Sequence, residues 1–327
     1  MSKRRVLSGI QPTGAGKHLG NYLGAVRHWA SMQDEFECFY FMADLHSLTI
    51  TPDPKELRDQ CRKLVAELLA MGVDPTKSTL FAQSHIPEHA ELAWVLSCLT
   101  GFGEASRMTQ FKEKGGGNVG LFNYPILQAA DILLYKANAV PVGEDQRQHL
   151  ELTRDLGQRF NNRYGEAFVV PDPYVQKTAE RIKDLQDPTA KMSTSKGGPG
   201  VLWVIEDDKQ TLKKIKSAVT DTGREFIYDV DEKPGISNLL TIQSVATGES
   251  VDALVAAYDG KGYGDFKGDV AEAVIEMFAP IRKRFAELMA DPGYLDTVLR
   301  EGAAVAGPVA AATMRDVRDR VGLLAPA

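Results

Sequence analysis

Short apolar runs alternate with longer amphipathic segments over the first half of the chain. Between the runs, apolar residues recur every three to four positions, as in 54–71 and 88–99, a spacing typical of helices with one buried face. The alternation predicts an α/β fold, a doubly wound parallel sheet with helices on both faces. The runs that predict the buried strands are Val6 to Ile10, Cys38 to Ala43, Thr79 to Ala82 and Ala139 to Val142.

The pattern changes after the middle of the chain. From about Asp207 onward helical spacing dominates without a clear buried strand, and Gly, Pro and Asp interrupt it near 259–268 and 291–293. We therefore expect two domains, an α/β domain over 1–190 and, over 191–327, a loop followed by an all-helical domain. The last helices of this second part could pack back on the first domain.

Composition sets broad limits on what the chain does. Of its 327 residues 43% are hydrophobic and 25% are charged, and the net charge is -6, which describes an ordinary globular protein and gives no sign of nucleic-acid binding without excluding it. The apolar run after the basic first residues is too short for a signal peptide, and no stretch reaches membrane-spanning length. We expect a cytoplasmic protein that makes no contact with membranes. The cysteines Cys38, Cys61 and Cys98 form no C-x-x-C pair, so we expect buried thiols and no metal site.

The turn after the first strand carries candidate chemistry. Gly14, Gly16 and Gly20 separate the strand from a helical pattern that begins at Leu19. Such a turn presents free backbone N–H groups and lets a phosphorylated ligand come close. Any first β-α turn could look similar, so both interpretations stay open on this motif alone.

A second candidate lies on one helical face. Tyr124, Gln128, Asp131 and Tyr135 follow each other at helical spacing in an otherwise apolar segment. A buried carboxylate requires a donor, so Asp131 either lies at the solvent surface or captures one ligand N–H or O–H in a pocket. His46, which follows the second strand, is a candidate for the same pocket or a structural histidine.

Further motifs resemble a known family. The stretches His18-Leu19-Gly20-Asn21 and Lys191-Met192-Ser193-Thr194-Ser195 resemble the two signatures of class I aminoacyl-tRNA synthetases. Within that class the chain resembles bacterial tryptophanyl-tRNA synthetases, in a series of motifs that runs from residue 5 to at least residue 290. These are Gly-Ile-Gln-Pro-Thr-Gly, Arg-Met-Thr-Gln-Phe-Lys, Ala-Ala-Asp-Ile-Leu-Leu-Tyr, Pro-Val-Gly-Glu-Asp-Gln and Lys-Pro-Gly-Ile-Ser-Asn-Leu-Leu.

The resemblance implies a Rossmann-type catalytic domain over 1–190 and, over 191–327, the mobile signature loop with a helical anticodon-recognising domain. It implies that the enzyme activates L-tryptophan with ATP and Mg²⁺, transfers it to tRNA(Trp) and works as a homodimer. The ATP-binding residues that it implies are Gln11, Pro12, Thr13, Gly20, Asn21, Gly143, Glu144, Asp145 and Ile182. The implied catalytic residues are His18, Lys112, Lys191, Ser193 and Ser195, with Met192 and Thr194 completing the ATP loop. Around tryptophan it implies Asp131 as acceptor of the indole N–H, with Tyr124, Gln128, His46, Val140, Val142 and Gln146.

The chain departs from the family pattern at four places, one of which, Asn21 in place of the second histidine of the class signature, tryptophanyl enzymes share. Thr194 stands where the loop usually has a second Lys, Gln128 stands where many bacterial members have Met, and Lys17 belongs to a turn one residue longer than in many relatives. Lys17 is either a solvated loop residue, which we favour, or a cation that offsets the one missing at Thr194. Gln128 is also a feature of tyrosyl-tRNA synthetases. A tyrosyl-type enzyme and a non-charging binding protein for tryptophan or tRNA therefore remain alternatives.

Overall fold

The structure is a computed structural model that describes residues 3–12, 14, 16–108, 117–141, 146–174, 182–194 and 197–324. Seven residues singled out by the sequence lie outside the described residues, namely Thr13, Lys112, Val142, Gly143, Glu144, Asp145 and Ser195.

The described strands form a single parallel sheet in the order β3-β2-β1-β4-β5. They are β1 (Arg5–Ile10), β2 (Glu37–Met42), β3 (Thr79–Ala82), β4 (Ala139–Pro141) and β5 (Asp172–Tyr174). The order reverses between β1 and β4, and ligands of open α/β sheets bind outside the carboxyl ends of the strands at such a switch point. The sequence pattern did not predict β5, because this strand is three residues long and contains Pro173.

Helices connect the described strands and follow the last of them. The helix after the first turn continues through a π-helical segment, Tyr22–Val26, between α1 and α2. Up to β5 the helices are α1 (Leu19–Asn21), α2 (Arg27–Met32), α3 (Asp44–Ser47), α4 (Pro54–Ala70), α5 (Glu88–Ser97), α6 (Phe102–Ala105), α7 (Val119–Leu134) and α8 (Arg147–Tyr164). After β5 they are α9 (Asp208–Lys216), α10 (Pro234–Thr247), α11 (Val251–Tyr258), α12 (Tyr263–Met289) and α13 (Pro292–Val321). The predicted class, a doubly wound parallel sheet followed by helices, is confirmed.

The sheet separates two apolar cores. Val6 and Leu7 are neighbours in β1, and because successive side chains of a strand point to opposite faces, Val6 belongs to one core and Leu7 to the other. The core around Val6 includes Phe278 of α12, and the core around Leu7 includes Met314 of α13. The helices after β5 therefore help to cover both faces of the sheet.

The helix α13 packs against the edge strand β3 and against α5. A β-carbon on Gly302 of α13 would lie 1.9 Å from the backbone oxygen of Leu80 in β3, so only glycine fits at this contact. Arg318 of α13 also forms a two-point ion pair with Glu91 of α5. Natural sheets protect their edges from pairing with other chains, and α13 gives β3 that protection.

Two composition-based expectations can be compared with the fold. Within the described ranges, none of the helices combines the length and apolar character that crossing a membrane requires. The expectation of buried thiols is correct for Cys38, whereas Cys61 is half-buried and Cys98 is exposed. The expectation of a buried thiol is therefore wrong for Cys98.

Candidate active site

A cavity of about 280 Å³ opens at the switch point between β1 and β4. The residues predicted from the sequence that line it are Gln11, His46, Tyr124, Gln128, Asp131, Val140 and Gln146. All the residues assigned above to tryptophan that the structure describes thus meet in one place.

Sequence reasoning missed other residues of the lining. They are Leu7, Ser8, Gly9, Ile10, Phe41, Ala43, Ile132 and Pro141. The alternation along β1 was a signal that could have found Leu7 and Gly9, since residues two apart share a face of a strand. A β-carbon on Gly9 would lie 2.3 Å from Cζ of Phe41, so the aromatic ring occupies the space that a larger residue would need.

Asp131 lies on α7 and is completely buried. Its Oδ1 accepts hydrogen bonds from Nε2 of Gln83 at 2.7 Å and from Nδ1 of His89 at 2.6 Å. Its Oδ2 lies 3.0 Å from Nε2 of His46. Burial alone would raise the pKa of Asp131, but the hydrogen bonds from His46 and His89 outweigh it and lower the pKa to about 2. The side chain is therefore an ionised acceptor in an apolar wall.

The three donors leave Asp131 with one acceptor position that no described group uses. A carboxylate has about four lone-pair positions, and the three donors described above occupy all but one of them. Because Asp131 lines the cavity, the remaining position suits a single N–H or O–H group of a ligand.

Gln83 and His89 were not predicted from the sequence. His89 donates to Asp131 from Nδ1 and therefore accepts at Nε2 in its neutral form, where the hydroxyl of Tyr135 lies 2.8 Å away. Tyr135, the fourth member of the predicted helical face, is fully buried and orients His89. It does not line the cavity.

Amide and aromatic side chains line the cavity beside Asp131. Nε2 of Gln128 lies 3.4 Å from Oε1 of Gln146, which in turn lies 3.1 Å from Nδ1 of His149. The ring of Tyr124 packs on that of His46, with centroids 4.2 Å apart. Within the described part of the chain Oε1 of Gln128 is buried without a hydrogen-bond partner, so it is a further acceptor beside the cavity.

His18 fixes the start of α1. The backbone N–H of Asn21 donates to Nδ1 of His18 and the backbone N–H of His18 donates to Oδ1 of Asn21, both at 3.2 Å. Since Nδ1 accepts, a neutral His18 carries its proton on Nε2. Burial, together with the nearby charges of Lys191 and Lys17, lowers the pKa of His18 to about 4. The two signature motifs therefore come close together. Gly20 packs under the His18 ring, since a β-carbon there would lie 3.0 Å from Cε1.

Lys17 is buried, so the prediction of a solvated loop residue is wrong. Its Nζ lies 3.5 Å from the backbone oxygen of Gln11. Burial lowers the pKa of Lys17, while the charge of buried Glu67 opposes that shift. Lys63 of α4 donates to the backbone oxygen of Gly14 at 3.3 Å. Lys17 and Lys63 thus hold the backbone of the glycine-rich turn, and the carboxylate of Glu67 lies 3.9 Å from Nζ of Lys63.

The second signature begins on a short antiparallel pair. Met192 donates its backbone N–H to the backbone oxygen of Ile182 at 3.2 Å, and both side chains are buried in the core around Val6. Lys191 is exposed, and Ser193 and Thr194 are half-buried. The described residues contain no group of three or more His, Cys, Asp or Glu side chains that could hold a metal ion.

The fold and this site define an α/β protein of the doubly wound type, with a ligand cavity at the switch point of its parallel sheet. Residues 1–279 match the family of tRNA synthetases class I (W and Y), and the chain belongs to this family. It is 55% identical to Tryptophan--tRNA ligase 2 of Streptomyces avermitilis over 98% of this chain and 97% of that protein. It is likewise 55% identical to Tryptophan--tRNA ligase of Corynebacterium glutamicum over 98% of this chain and 95% of the relative.

Solved structures agree with this assignment. The tryptophanyl-tRNA synthetase of Campylobacter jejuni complexed with ADP and tryptophan has a TM-score of 0.87 at 35% identity, covering 98% of this chain and 100% of that one. The chain is thus an aminoacyl-tRNA synthetase, and the resemblance drawn from its motifs is confirmed.

Proposed function

We propose that this chain is a tryptophan--tRNA ligase that forms tryptophanyl-adenylate and pyrophosphate from L-tryptophan and ATP, then transfers tryptophan to tRNA(Trp). The observation that carries the proposal is Asp131, an ionised, fully buried carboxylate in the cavity lining that has three donors and one acceptor position left. The full-length relatives that carry this name support it.

In this proposal Asp131 accepts a hydrogen bond from the indole N–H of tryptophan. Indole donates one hydrogen bond and accepts none, which suits a single open acceptor position. A site that is committed to a substrate hydrogen bond rejects an analogue without it by roughly 10⁴ to 10⁵. Phenylalanine, which fits apolar walls but has no such donor, is the analogue excluded in this way.

The ATP phosphates lie over the glycine-rich turn in this proposal. His18 faces them with its Nε2–H, and Lys191 brings its charge from the second signature. The carboxylate of tryptophan attacks the α-phosphate in line with departing pyrophosphate, so positioning and charge stabilisation supply most of the catalysis. Gln11, Pro12, Gly20 and Asn21 hold the nucleotide, and Ser193 assists Lys191. Ile182 borders the adenine in this proposal, and its backbone oxygen accepts the N–H of Met192.

Mg²⁺ enters as part of the Mg·ATP substrate in this proposal. The described residues near the turn are a neutral histidine, lysines and the single carboxylate of Glu67, and they offer no set of several carboxylates with the oxygen ligands that Mg²⁺ prefers. The chain's own contribution to the phosphates is therefore cationic, through Lys191.

The chain has two functional parts in this proposal, a catalytic domain over 1–190 and a signature loop with an anticodon-recognising helical domain over 191–327. The last described strand ends at Tyr174 and the helices α9 to α12 follow it, which supports the division. Because its substrates ATP and tRNA are in the cytoplasm, we place the enzyme there.

We also propose a homodimer. An apolar surface patch lies on α5, α6, the start of α7 and the turn after α3. Its most exposed members are Leu48, Ile50, Trp94, Phe102 and Val119, each at least 54% exposed. Leu48 and Trp94 line a cavity of about 360 Å³. Large exposed apolar patches typically mark an interface, and a second copy of the chain is the partner that we propose.

Tryptophan-dependent ATP–pyrophosphate exchange tests the function. We expect exchange with tryptophan and at most background exchange with tyrosine or phenylalanine. Exchange with tyrosine instead would assign the chain to the tyrosyl branch of its family. Binding of tryptophan without exchange would leave the non-charging alternative, which Thr194 motivates.

A further inference from the structure

The motif Lys-Pro-Gly-Ile-Ser-Asn-Leu-Leu at 233–240 has no role in the chemistry described above, although residues 235–243 of α10 are buried. The residues of this motif contact several loops at the start of α10. A β-carbon on Gly235 would lie 2.2 Å from the backbone oxygen of Val219. Ser237 Oγ accepts from the N–H of Asp229 at 2.9 Å and donates to its backbone oxygen at 2.8 Å.

Asn238 makes the contact that leads back to the active site. Its Oδ1 accepts the backbone N–H of Lys183 at 2.8 Å, and its Nδ2 donates to the backbone oxygen of Lys183 at 3.1 Å. The side chain is buried, with 6% exposure. Both sides of one amide group therefore hold both backbone groups of one residue, which fixes the position and orientation of that residue.

Lys183 pairs directly with the signature loop. It forms an antiparallel bridge with Lys191. On either side of that bridge, Asp184 donates its N–H to the oxygen of Ala190 at 3.0 Å and Met192 donates to the oxygen of Ile182 at 3.2 Å. Asn238 thus holds the strand on which the backbone of Lys191 rests.

We propose that Asn238 is a positioning residue for Lys191: through the backbone of Lys183, it sets where the Lys191 ammonium meets the phosphates of ATP. This inference rests on the function proposed above for the signature loop. A charge that stabilises a transition state acts only from the right place, and a displacement of about 1 Å can cost about 10²-fold in rate. The helix α10 carries Asn238, so the loop position depends on the helical part of the chain.

Asn238→Asp is the sharpest test because the two side chains have the same shape. The aspartate can still accept the N–H of Lys183, but it presents an oxygen to the backbone oxygen of Lys183 in place of a donor. We expect the tryptophan-dependent exchange rate at saturating substrates to fall roughly 10- to 100-fold. Tryptophan affinity should stay within about twofold of the parent, and the backbone amides of 182–192 should exchange their hydrogens faster.

Asn161→Asp is the matched control. Asn161 holds Phe168 in the same way, with Nδ2 donating to the backbone oxygen at 2.8 Å and Oδ1 accepting the N–H at 3.0 Å. Its contacts lie at the end of α8, and we expect a similar loss of thermal stability with an unchanged exchange rate. An equal fall of the exchange rate per folded molecule in both variants would overturn the inference, as would a parent-like rate in Asn238→Asp.

Two further variants keep the test decisive. Asn238→Ala removes both hydrogen bonds without adding repulsion, so it carries the test if the aspartate variant does not fold. Lys191→Ala separates the inference from the function on which it rests. If Lys191→Ala keeps its exchange rate, the role of the loop and this inference both fail. If Lys191→Ala loses exchange and Asn238→Ala does not, only the role of Asn238 fails.

Discussion

Asp131 keeps its charge in a fully buried position because His46, Gln83 and His89 donate to it. Isolated buried charges are costly, so the same donors that stabilise the carboxylate also leave it only one direction in which to meet a ligand. At the scale of single residues, stability and the proposed substrate choice depend on one group.

Asp131→Asn should therefore affect both properties. The NH₂ group of the asparagine would face N–H donors that now donate to the carboxylate. At least one buried donor would then lose its acceptor, which costs about 1–3 kcal/mol in the free energy of unfolding. We expect tryptophan affinity to fall about 10- to 100-fold and discrimination against phenylalanine to fall with it. Urea unfolding and tryptophan titration measure the two effects.

Tyr135→Phe is the control for this variant. It removes the hydroxyl that meets His89 and leaves every cavity-lining side chain in place, so it should weaken folding with a smaller change in tryptophan affinity. Unchanged discrimination against phenylalanine in Asp131→Asn would contradict the proposed contact with indole.

His18 gives a pH dependence with a defined sign. Its pKa falls from an ordinary 6.5 to about 4 in the folded chain, so between these values the unfolded chain binds a proton that the folded chain does not. The contribution of His18 to the free energy of unfolding is then fully present above pH 6.5. It is lost as the pH falls towards 4, which lowers the free energy of unfolding by up to about 3 kcal/mol. His18→Asn keeps a side chain that can cap α1 and removes the titration. Its stability should fall less than that of the parent over this range in urea unfolding, and parallel curves would contradict the assignment.

At the scale of helices and strands, local pattern predicted most elements and failed where local signals were weak. The strand β2 reads as a continuous apolar run and α4 has Asp53 as its N-cap with Pro54 next, so both follow from the sequence. The strand β5 is exposed, short and contains Pro173. Its position depends on pairing with β4, which no local pattern encodes.

Gly302 on α13 gives a prediction at this scale. A methyl group there must displace the backbone of β3, because the nearest atom is the Leu80 oxygen. We expect Gly302→Ala to lower the free energy of unfolding by about 1–3 kcal/mol, as overpacking does. Gly307 lies on the same helix and a β-carbon there meets no atom within 4 Å, so Gly307→Ala should be neutral or stabilise by up to about 1 kcal/mol. Equal thermal shifts in the two variants would contradict this account of the contact.

At the scale of the whole molecule, the candidate site was predictable to the extent that its residues share one element. Tyr124, Gln128 and Asp131 follow from helical spacing on α7 and do meet in the cavity. His89 and Asp131 are 42 residues apart in the sequence, and only the packing of α5 on α7 brings them together. The burial of Lys17 could not be predicted from the sequence, because charged side chains usually lie at the solvent surface. Here the buried carboxylate of Glu67 lies near the ammonium group of Lys17.

A substitution in the apolar patch tests the proposed homodimer. Trp94→Glu introduces a charge at a residue that is 72% exposed, so it should disturb association more than folding. We expect analytical ultracentrifugation to show dimers for the parent and mainly monomers for the variant. Ala93 and Ser97 line the same cavity, and Ser97→Ala serves as the mild control. A monomeric parent would refute the dimer.

The contact between α13 and β3 also bears on synthesis of the chain. The strand β3 leaves the ribosome long before Gly302, and at roughly 5–20 residues per second its outer edge stays open for about 10–40 s. During that interval the nascent sheet presents unpaired N–H and C=O groups to other chains. If synthesis ends within α13, the truncated chain keeps this edge uncovered. Such truncated chains should depend on chaperones far more than the finished protein does.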